Sequence, residues 1–381
     1  MKKLLTVLLS VLMILCLAAC GSKTAEEPTN TPADTTEPTT EAGGGTVGVS
    51  MPTKSLQRWI QDGDNMKSQL EAAGYTVDLQ YAGDNDIPTQ VNQIENMINN
   101  GCKVIVVASI DGTALGTVMD QAKEKNIPVI AYDRLIMNTD GVTYYATFDN
   151  WLVGVTQGKF IEEKLDLKNA KANGKTYNIE YITGDPGDNN INFFFDGAMS
   201  VLEGYVADGV LVTPSGQVAT GDSKSGYDKA AVATTNWATD AAQSRFENIL
   251  STYYADKNLD AILASNDSTA LGCINALTSS YKGTWPVITG QDADKPNVPH
   301  IVDGSQGMAV FKDTRALASS VVKMVDAIMK GTAPEINDES TYNNGVKVVP
   351  SFLCEPVACT ADNYKELLID SGYYTLADIG Q

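Results

Sequence analysis

The clearest folding signal in the sequence lies at residues 104–132, which read VIVVASIDGTALGTVMDQAKEKNIPVIAY. An apolar, β-branched run comes first at 104–108, a segment with helical periodicity follows at 114–125, and a second apolar run stands at 128–132. Strands that are apolar on both faces are typical of parallel sheets covered by helices on each side. The segment therefore predicts a β-α-β unit of an α/β fold.

The same alternation extends in both directions from this unit. Before it, strand-like runs stand at 47–50 and 77–81, with helical segments at 59–73 and 87–99. After it, short apolar runs recur at 177–183, 210–213, 261–264 and 287–289, each joined to the next by a helical segment. The roughly 335 residues after position 45 are enough for two lobes of the usual domain size, so we expect two parallel sheets.

The first twenty residues have the pattern of a bacterial lipoprotein leader. Met1-Lys2-Lys3 carries positive charge, residues 4–19 are almost wholly apolar, and Leu17-Ala18-Ala19-Cys20 resembles a lipobox. Such a run suits the core of a secretory signal better than a membrane span, which needs about 20 apolar residues. We predict a signal peptide at 1–19 and lipidation of Cys20; a plain secretory signal with a chance cysteine is the alternative.

The segment that follows is too polar to form a core. Residues 21–45 contain Thr, Glu, Pro, Ala and Gly but no large apolar side chain, which predicts a disordered linker over 20–45. Residues 43–48 spell G-x-G-x-x-G, but this stretch precedes the first strand, whereas a phosphate-binding loop follows a strand and opens a helix. We therefore reject a nucleotide site there.

Charge and residue counts exclude several classes of function. The chain has a net charge of −20, and without Lys2 and Lys3 of the leader 25 basic residues face 47 acidic ones, a net charge of −22. Such a surface repels nucleic acid and anionic lipid head groups. His300 is the only histidine in the chain, and no cysteines have zinc-ligand spacing. We expect no catalytic residue, metal or cofactor.

Four cysteines remain after the leader and the predicted anchor. Cys102 and Cys273 lie in apolar segments and are expected to be buried small hydrophobic residues. Cys354 and Cys359 are close together in a late segment outside the reducing cytoplasm, so a local disulfide between them is one expectation.

Polar side chains follow the predicted strands at seven points. Ligands of parallel sheets bind beyond the carboxyl ends of the strands. Charged and amide side chains there suit the adjacent hydroxyls of a monosaccharide, and its apolar face suits the rings of Trp59, Phe194 and Trp237. An Asp or Asn after a strand also commonly caps the next helix, which remains the alternative at each single position.

Six segments carry a family resemblance that runs through most of the chain. They are Met51-Pro52-Thr53-Lys54 with Arg58-Trp59, Ala131-Tyr132-Asp133-Arg134-Leu135, Gly184-Asp185-Pro186 with Asp188-Asn189-Asn190, Leu263-Ala264-Ser265-Asn266-Asp267, Gly290-Gln291-Asp292-Ala293-Asp294, and Met308-Ala309-Val310-Phe311-Lys312. In these segments the chain resembles the sugar receptors of ABC importers with the type I periplasmic-binding-protein fold. It is most similar to the xylose-binding and multiple-monosaccharide-binding receptors.

The resemblance implies two Rossmann-like lobes that close on one sugar and are joined by three crossovers near Asp149, Asp292 and Pro350. The implied lobes are 46–149 plus 293–349 and 150–292 plus 350–381. The implied sugar contacts are Arg58, Trp59, Asp133 and Lys312 in the first lobe, and Asp188, Asn190, Trp237, Asn266 and Asp292 on or near the second. Arg134 is added either as a sugar contact or as a structural partner of Asp133.

The resemblance also implies the function. A monomeric, lipid-anchored receptor on the outer side of a bacterial membrane would capture xylose, glucose, galactose or a similar aldose and deliver it to the permease of an ABC transporter. Phe194 and Lys312 stand where galactose-type receptors have Arg and Asn, which favours the xylose-like subgroup. A receptor for a signalling system is one alternative. A glycosidase using Asp133, Asp188 and Asp292 is another.

Overall fold

A computed structural model describes residues 44–381 of the chain. The predicted signal peptide, Cys20 and nearly all of the predicted linker lie outside the described residues. Among the described helices, none is both long and apolar enough to cross a bilayer.

The first lobe is built around a six-stranded parallel sheet. Its elements are β1 (Thr46–Met51), α1 (Gln57–Ala72), β2 (Thr76–Tyr81), α2 (Ile87–Asn99), β3 (Val104–Val107), α3 (Gly116–Glu124), β4 (Val129–Tyr132), β5 (Tyr144–Phe148) and, later in the chain, α10 (Thr314–Met329) and β13 (Ser351–Cys354). The strand order is β13-β5-β4-β3-β1-β2, and every pairing is parallel. The predicted parallel α/β architecture is confirmed.

The apolar run at 104–107 is buried on both faces of this sheet. Val104 and Val106 pack in one core cluster with residues of α1 and α10, whereas Ile105 and Val107 pack in a second cluster with residues of α2 and α3. Successive side chains of a strand point to opposite faces, so a strand between two helical layers must be apolar throughout. This is why the run shows no polar alternation.

The second lobe repeats the plan with a smaller sheet. Its elements are α4 (Asn150–Lys164), α5 (Leu167–Ala170), β6 (Tyr177–Ile182), α6 (Asn190–Ala207), β7 (Leu211–Val212), the hairpin β8 (Thr220–Asp222) and β9 (Gly226–Asp228), a 3₁₀ turn (Thr235–Trp237), α7 (Thr239–Tyr253), β10 (Ala261–Ala264), α8 (Asp267–Ser280), β11 (Val287–Ile288), α9 (Val298–Asp303), β12 (Ala309–Phe311), β14 (Val357–Cys359) and helical turns at Lys365–Asp370 and Ala377–Ile379. Parallel strands run in the order β11-β10-β6-β7. A bridge between Gln291 and Val310 adds the antiparallel pair β12-β14 at the edge.

The chain passes between the lobes at three places, two of which differ from the expected positions. The first passage runs from β5 into α4 at Asp149. The second follows Phe311, because residues 293–311 pack in a second-lobe cluster with the C-terminal residues, so the expected boundary at Asp292 is too early. The third follows Cys354 rather than Pro350, because β13 pairs with β5 in the first sheet. The lobes are therefore 44–149 with about 313–354, and 150–312 with about 355–381.

The expected disulfide between Cys354 and Cys359 is wrong for this structure, in which both thiols are free. Cys354 lies on β13 with its Sγ 3.8 Å from Ser320 Oγ, whereas Cys359 lies on β14 and packs in the second lobe. The two residues are close in sequence but are on opposite sides of the third crossover. Cys102 and Cys273 are buried, as expected.

Helices α4 and α6 pack so closely that glycine is required between them. A Cβ added at Gly154 would lie 2.0 Å from the backbone oxygen of Phe194, whereas a Cβ at Gly204, later in α6, would meet nothing within 4 Å. We expect Gly154→Ala to destabilise the protein by roughly 1–3 kcal/mol, because the backbones of α4 and α6 must move apart to admit the methyl group. Gly204→Ala should be neutral or stabilising by up to about 1 kcal/mol, because alanine favours the helix.

Urea unfolding of both variants beside the parent protein checks this prediction. Equal free energies of unfolding for the two variants would contradict the close helix packing.

Candidate functional site: the cleft between the lobes

The candidate site is a cavity where the carboxyl ends of the strands from both sheets meet. The space between its walls is about 390 Å³, part of which is open to solvent. Both lobes contribute to its wall, which consists of Leu56, Arg58, Trp59, Asp133, Arg134, Asp188, Phe194, Trp237, Asn266, Gln291, Asp292, Asp294 and Lys312. Nine of the ten predicted sugar contacts are in this wall.

Arg58 is the centre of the charge network in the cleft. It lies in the first turn of α1, is 7 % exposed, and donates from Nε to Asp62 Oδ2 at 3.0 Å and from Nη1 to Asp292 Oδ1 at 3.2 Å. Its Nη2 donates to Asp133 Oδ2. Burial alone would lower the pKa of Arg58, but the surrounding carboxylates raise it well above the ordinary value. Arg58 therefore stays charged and joins both lobes.

Lys312 supplies a second buried cation at the hinge. It follows β12 directly, and its Nζ lies 3.1 Å from Asp292 Oδ1 and 3.9 Å from Asp133 Oδ2. The resemblance had placed Lys312 in the first lobe, but β12 belongs to the second, so this correction follows from the displaced crossover. Burial would raise the pKa of Asp133, but Arg58, Lys312 and Arg134 outweigh it and lower the pKa.

The backbone at two of these carboxylates is left-handed. Asp133 has φ of 60° directly after β4, and Asp292 has φ of 96° after β11. Such conformations cost about 1–3 kcal/mol outside glycine and persist where surrounding contacts fix them. The backbone carbonyl oxygen of Asp133 accepts hydrogen bonds from Tyr145 Oη at 2.6 Å and from Thr147 Oγ1 at 3.0 Å. These contacts turn the carboxylate into the cleft.

Arg134 links the lobes and packs on an aromatic wall. Its Nε lies 2.9 Å from Asp188 Oδ2, and its Nη1 donates to the carbonyl of Ser109 at 3.1 Å. The guanidinium carbons of Arg134 and Arg58 lie 4.8 Å and 5.2 Å from the centroid of the Trp59 ring, within cation–π range. Burial raises the pKa of Asp188, and Arg134 opposes this rise.

The second lobe contributes Trp237 and Phe194 to the apolar wall. Their ring centroids are 6.3 Å apart in a T-shaped arrangement, and the 3₁₀ turn that carries Trp237 has positive φ at Asn236 and Trp237. The buried Nε1 of Trp237 has no hydrogen-bond partner among the described residues. Gly184 is needed beside this ring, because a Cβ there would lie 2.1 Å from Trp237 Cζ2.

Two predicted contacts have structural roles. Asn190 does not line the cavity: its Nδ2 donates to the carbonyl of Asp133 at 2.7 Å, and its Oδ1 accepts from Tyr145 Oη at 3.1 Å. Asn266 lines the cavity but also caps α8, since its Oδ1 accepts from Thr269 N at 3.0 Å. Its Nδ2 donates to Ser268 Oγ at 2.8 Å. Asn190 therefore holds the lobes together behind the site through its bond to Asp133, whereas Asn266 caps a helix at the cavity wall.

Sequence reasoning missed Gln291, Asp294 and Asp62. Gln291 and Asp294 stood inside one of the quoted segments but were not selected; Gln291 Oε1 and Asp294 Oδ1 are buried without a hydrogen-bond partner among the described residues. Asp62 lies one helical turn after Arg58 and accepts from Tyr132 Oη. The i, i+4 spacing of Arg58 and Asp62 was the available signal.

The lobes make direct contact across the cleft, so the structure is closed. Besides the Arg134–Asp188 pair and the Asn190–Asp133 bond, Gly112 N donates to the carbonyl of Gly187 at 3.1 Å. Fold and site together define a two-lobed binding protein whose ligand is enclosed between the lobes.

Comparison with known proteins identifies the family. The model of the periplasmic binding protein domain matches residues 47–333, and the chain belongs to this family, whose members are extracytoplasmic receptors and not enzymes. The chain is 50% identical over 334 residues to the multiple sugar-binding periplasmic receptor ChvE of Rhizobium radiobacter, covering 87% of this chain and 91% of that one. It is 34% identical over 334 residues to the D-xylose-binding periplasmic protein of Escherichia coli, covering 87% and 92%.

A solved structure is similar over the same region. It is an ABC transporter solute-binding protein from Clostridium phytofermentans with bound β-D-glucose. It is 60% identical, has a TM-score of 0.82, and the match covers 88% of this chain and 99% of that one.

The buried Asp62 generates a pH prediction. Burial, the largest cause, raises the pKa of Asp62 to about 6, while Arg58 opposes the rise. A carboxyl whose pKa is higher in the folded protein than in the unfolded chain stabilises the fold at low pH. This stabilisation is lost as the pH rises from the unfolded-state pKa towards the folded-state pKa of about 6. Asp62→Asn should gain about 2 kcal/mol relative to the parent protein between pH 4 and pH 7.

Urea unfolding of the parent and variant across this range measures the difference in free energy of unfolding. A difference that is independent of pH would show that Asp62 ionises normally.

Proposed function

We propose that this protein captures an aldose monosaccharide, such as glucose, xylose or galactose, by closing its lobes and delivers it to the permease of an ABC transporter. The observation that carries the proposal is the cavity wall: charged and amide side chains from both lobes surround a space bounded by Trp59, Phe194 and Trp237. Carboxylates, guanidinium groups and amides suit vicinal hydroxyls, and the rings suit the C–H face of a pyranose.

The relatives support this ligand class. The receptor at 50% identity is described as multiple sugar-binding, the one at 34% as D-xylose-binding, and the solved relative at 60% holds β-D-glucose. A pyranose in the cleft would contact both lobes at once, so its binding would favour the closed state that a permease recognises. Asp133, Asp188 and Asp292 act in this proposal as hydrogen-bond acceptors and ion-pair partners, and no bond is broken.

Titration of tryptophan fluorescence with D-glucose, D-xylose, D-galactose and L-arabinose tests the proposal. We expect a saturable change with at least one of these sugars and no release of product from aryl glycosides. The absence of any saturable signal or thermal shift across a broad aldose panel would refute the sugar ligand. Sugar uptake in a deletion strain separates import from a purely signalling role, in which uptake would be unaffected.

Trp237 provides a sharper test of the site. Trp237→Phe keeps a ring in the wall but removes the buried Nε1 donor, so we expect sugar binding to weaken about tenfold, as for one lost hydrogen bond. Trp285→Phe is the matched control, because Trp285 is 39% exposed and its Nε1 donates to Ser305 outside the cavity. Isothermal titration calorimetry measures both affinities, and equal weakening in the two variants would contradict the assignment.

We also propose that lipid on Cys20 tethers the receptor to the membrane while residues 21–45 act as a spacer. The composition of this segment supports a spacer, and the family acts outside the cytoplasm. Cys20→Ala should move the protein from the membrane fraction to the soluble fraction, with sugar affinity unchanged because the site lies in the folded lobes. Fractionation and calorimetry check both statements; a variant that stays with the membrane would contradict the lipid anchor.

A further inference from the structure

Asp294 and Asp267 form a buried pair of carboxyl groups that the proposed sugar contacts do not include. Both are buried, and no Lys or Arg nitrogen of residues 44–381 lies within 4 Å of either carboxylate. The backbone N–H of Asp294 donates to Asp267 Oδ2 at 2.8 Å, which joins the two residues. Asp294 lines the cavity and Asp267 lies behind it, in the first turn of α8.

The two carboxyl groups differ in their hydrogen bonds. Both oxygens of Asp267 are acceptors, since Oδ1 accepts from Gln306 Nε2 at 2.7 Å and Oδ2 accepts from Asp294 N. Oδ1 of Asp294 accepts nothing from the described residues. A carboxyl oxygen that accepts one N–H keeps a second lone pair for a proton, so these bonds leave Asp267 able to carry one. Burial, followed by the charge of Asp294, raises the pKa of Asp267 well above its ordinary value. Asp294 differs from Asp267 in lining the cavity, so it is the carboxyl of the pair whose surroundings change when the cleft opens.

The surrounding charges favour a neutral Asp294 in the closed cleft. The titratable and charged groups around it are Asp292 on its own loop, Arg58 and Asp62 on α1, Lys312 after β12, Asp267 on α8, and Tyr373 and Tyr374 of the C-terminal segment. Arg58 and Lys312 are already paired with Asp62, Asp133 and Asp292. The neighbouring Lys295 Nζ points away to Asp378 at 2.6 Å. Carboxylates thus outnumber the cations that could neutralise them.

We propose that Asp294 is a sugar-contact residue that binds in its protonated form, so that closure of the lobes on a neutral sugar takes up one proton from solution. This inference rests on the proposed sugar-binding function. A proton on Asp294, which lines the cavity, makes its carboxyl a hydrogen-bond donor as well as an acceptor towards a sugar hydroxyl. A neutral carboxylic acid and a hydroxyl each offer both roles, which suits uncharged sugars.

The coupling of the proton to closure follows from burial. In the closed cleft, the pKa of Asp294 is raised to about 7. Burial is the largest cause, and the charge of Asp292 is the second. When the lobes separate, water reaches this carboxyl and the effect of burial is relieved, so the pKa falls towards that of an ordinary Asp. A sugar that stabilises the closed state therefore also stabilises the protonated carboxyl, and binding and protonation are linked.

Calorimetric titration of the full chain with the aldose that binds in the fluorescence test, in buffers of different ionisation enthalpy, counts the protons. Near pH 5 to 6, between the two pKa values, we expect a net uptake that approaches one proton and an affinity that falls by up to about tenfold per pH unit; at pH 7 the uptake should be about half a proton, and above about pH 8 both effects should vanish. Asp294→Asn mimics the neutral carboxyl, so it should bind the sugar with little or no proton uptake and a flat pH profile. Asp303→Asn is the matched control at an exposed aspartate of α9 and should behave like the parent protein.

Two results would overturn the inference and leave the proposed function intact. One is sugar binding by the parent protein with no net proton uptake at any pH between 5 and 8.5. The other is proton uptake that persists in Asp294→Asn but disappears in Asp267→Asn, which would assign the proton to the inner carboxyl. Failure of the parent protein to bind any aldose would instead refute the proposed function.

Discussion

The buried ion cluster around Arg58 is the interaction on which the cleft depends. One guanidinium group on α1 of the first lobe contacts Asp133 from the first sheet and Asp292 from the second, and Lys312 at the hinge lies against Asp292. Removing one partner of a buried ion pair typically costs about 3–5 kcal/mol, because the remaining charge stays in a poor solvent. The cluster therefore fixes where the two lobes meet as well as the chemistry of the wall.

Carboxylates outnumber the cations in the cleft, and each cation of the cleft is paired with at least one of them. Because of this pairing, the orientation of these charged groups is fixed before a ligand binds. Such preorganisation reduces the ordering cost of binding. Aromatic rings from both lobes bound the cavity, and Arg134 pairs with Asp188 across the cleft. Charge, shape and closure are thus parts of one arrangement.

Much of this could be predicted from the sequence, for reasons that differ between elements. The apolar composition of strands such as 104–107 predicts them locally; Asp133 follows β4 directly, and Asp292 lies in the loop after β11. The crossovers after Phe311 and Cys354 could not be placed, because β12, β13 and β14 are short and are defined by distant pairing partners rather than by local pattern.

Individual roles within the site also escaped sequence reasoning. Asn190 resembles a ligand contact by motif, but both ends of its amide bond to other residues of the protein, and that depends on where Tyr145 and Asn150 lie in space. Asp294 stands two residues after Asp292, and only its unpaired buried oxygen distinguishes it.

The most direct test of the central claim, that a monosaccharide closes the two lobes, is small-angle X-ray scattering of the protein with and without saturating D-glucose or D-xylose. At least one of these sugars is expected to lower the radius of gyration to a value that agrees with the closed structure. Saturable sugar binding with an unchanged radius of gyration would contradict hinge closure around the ligand.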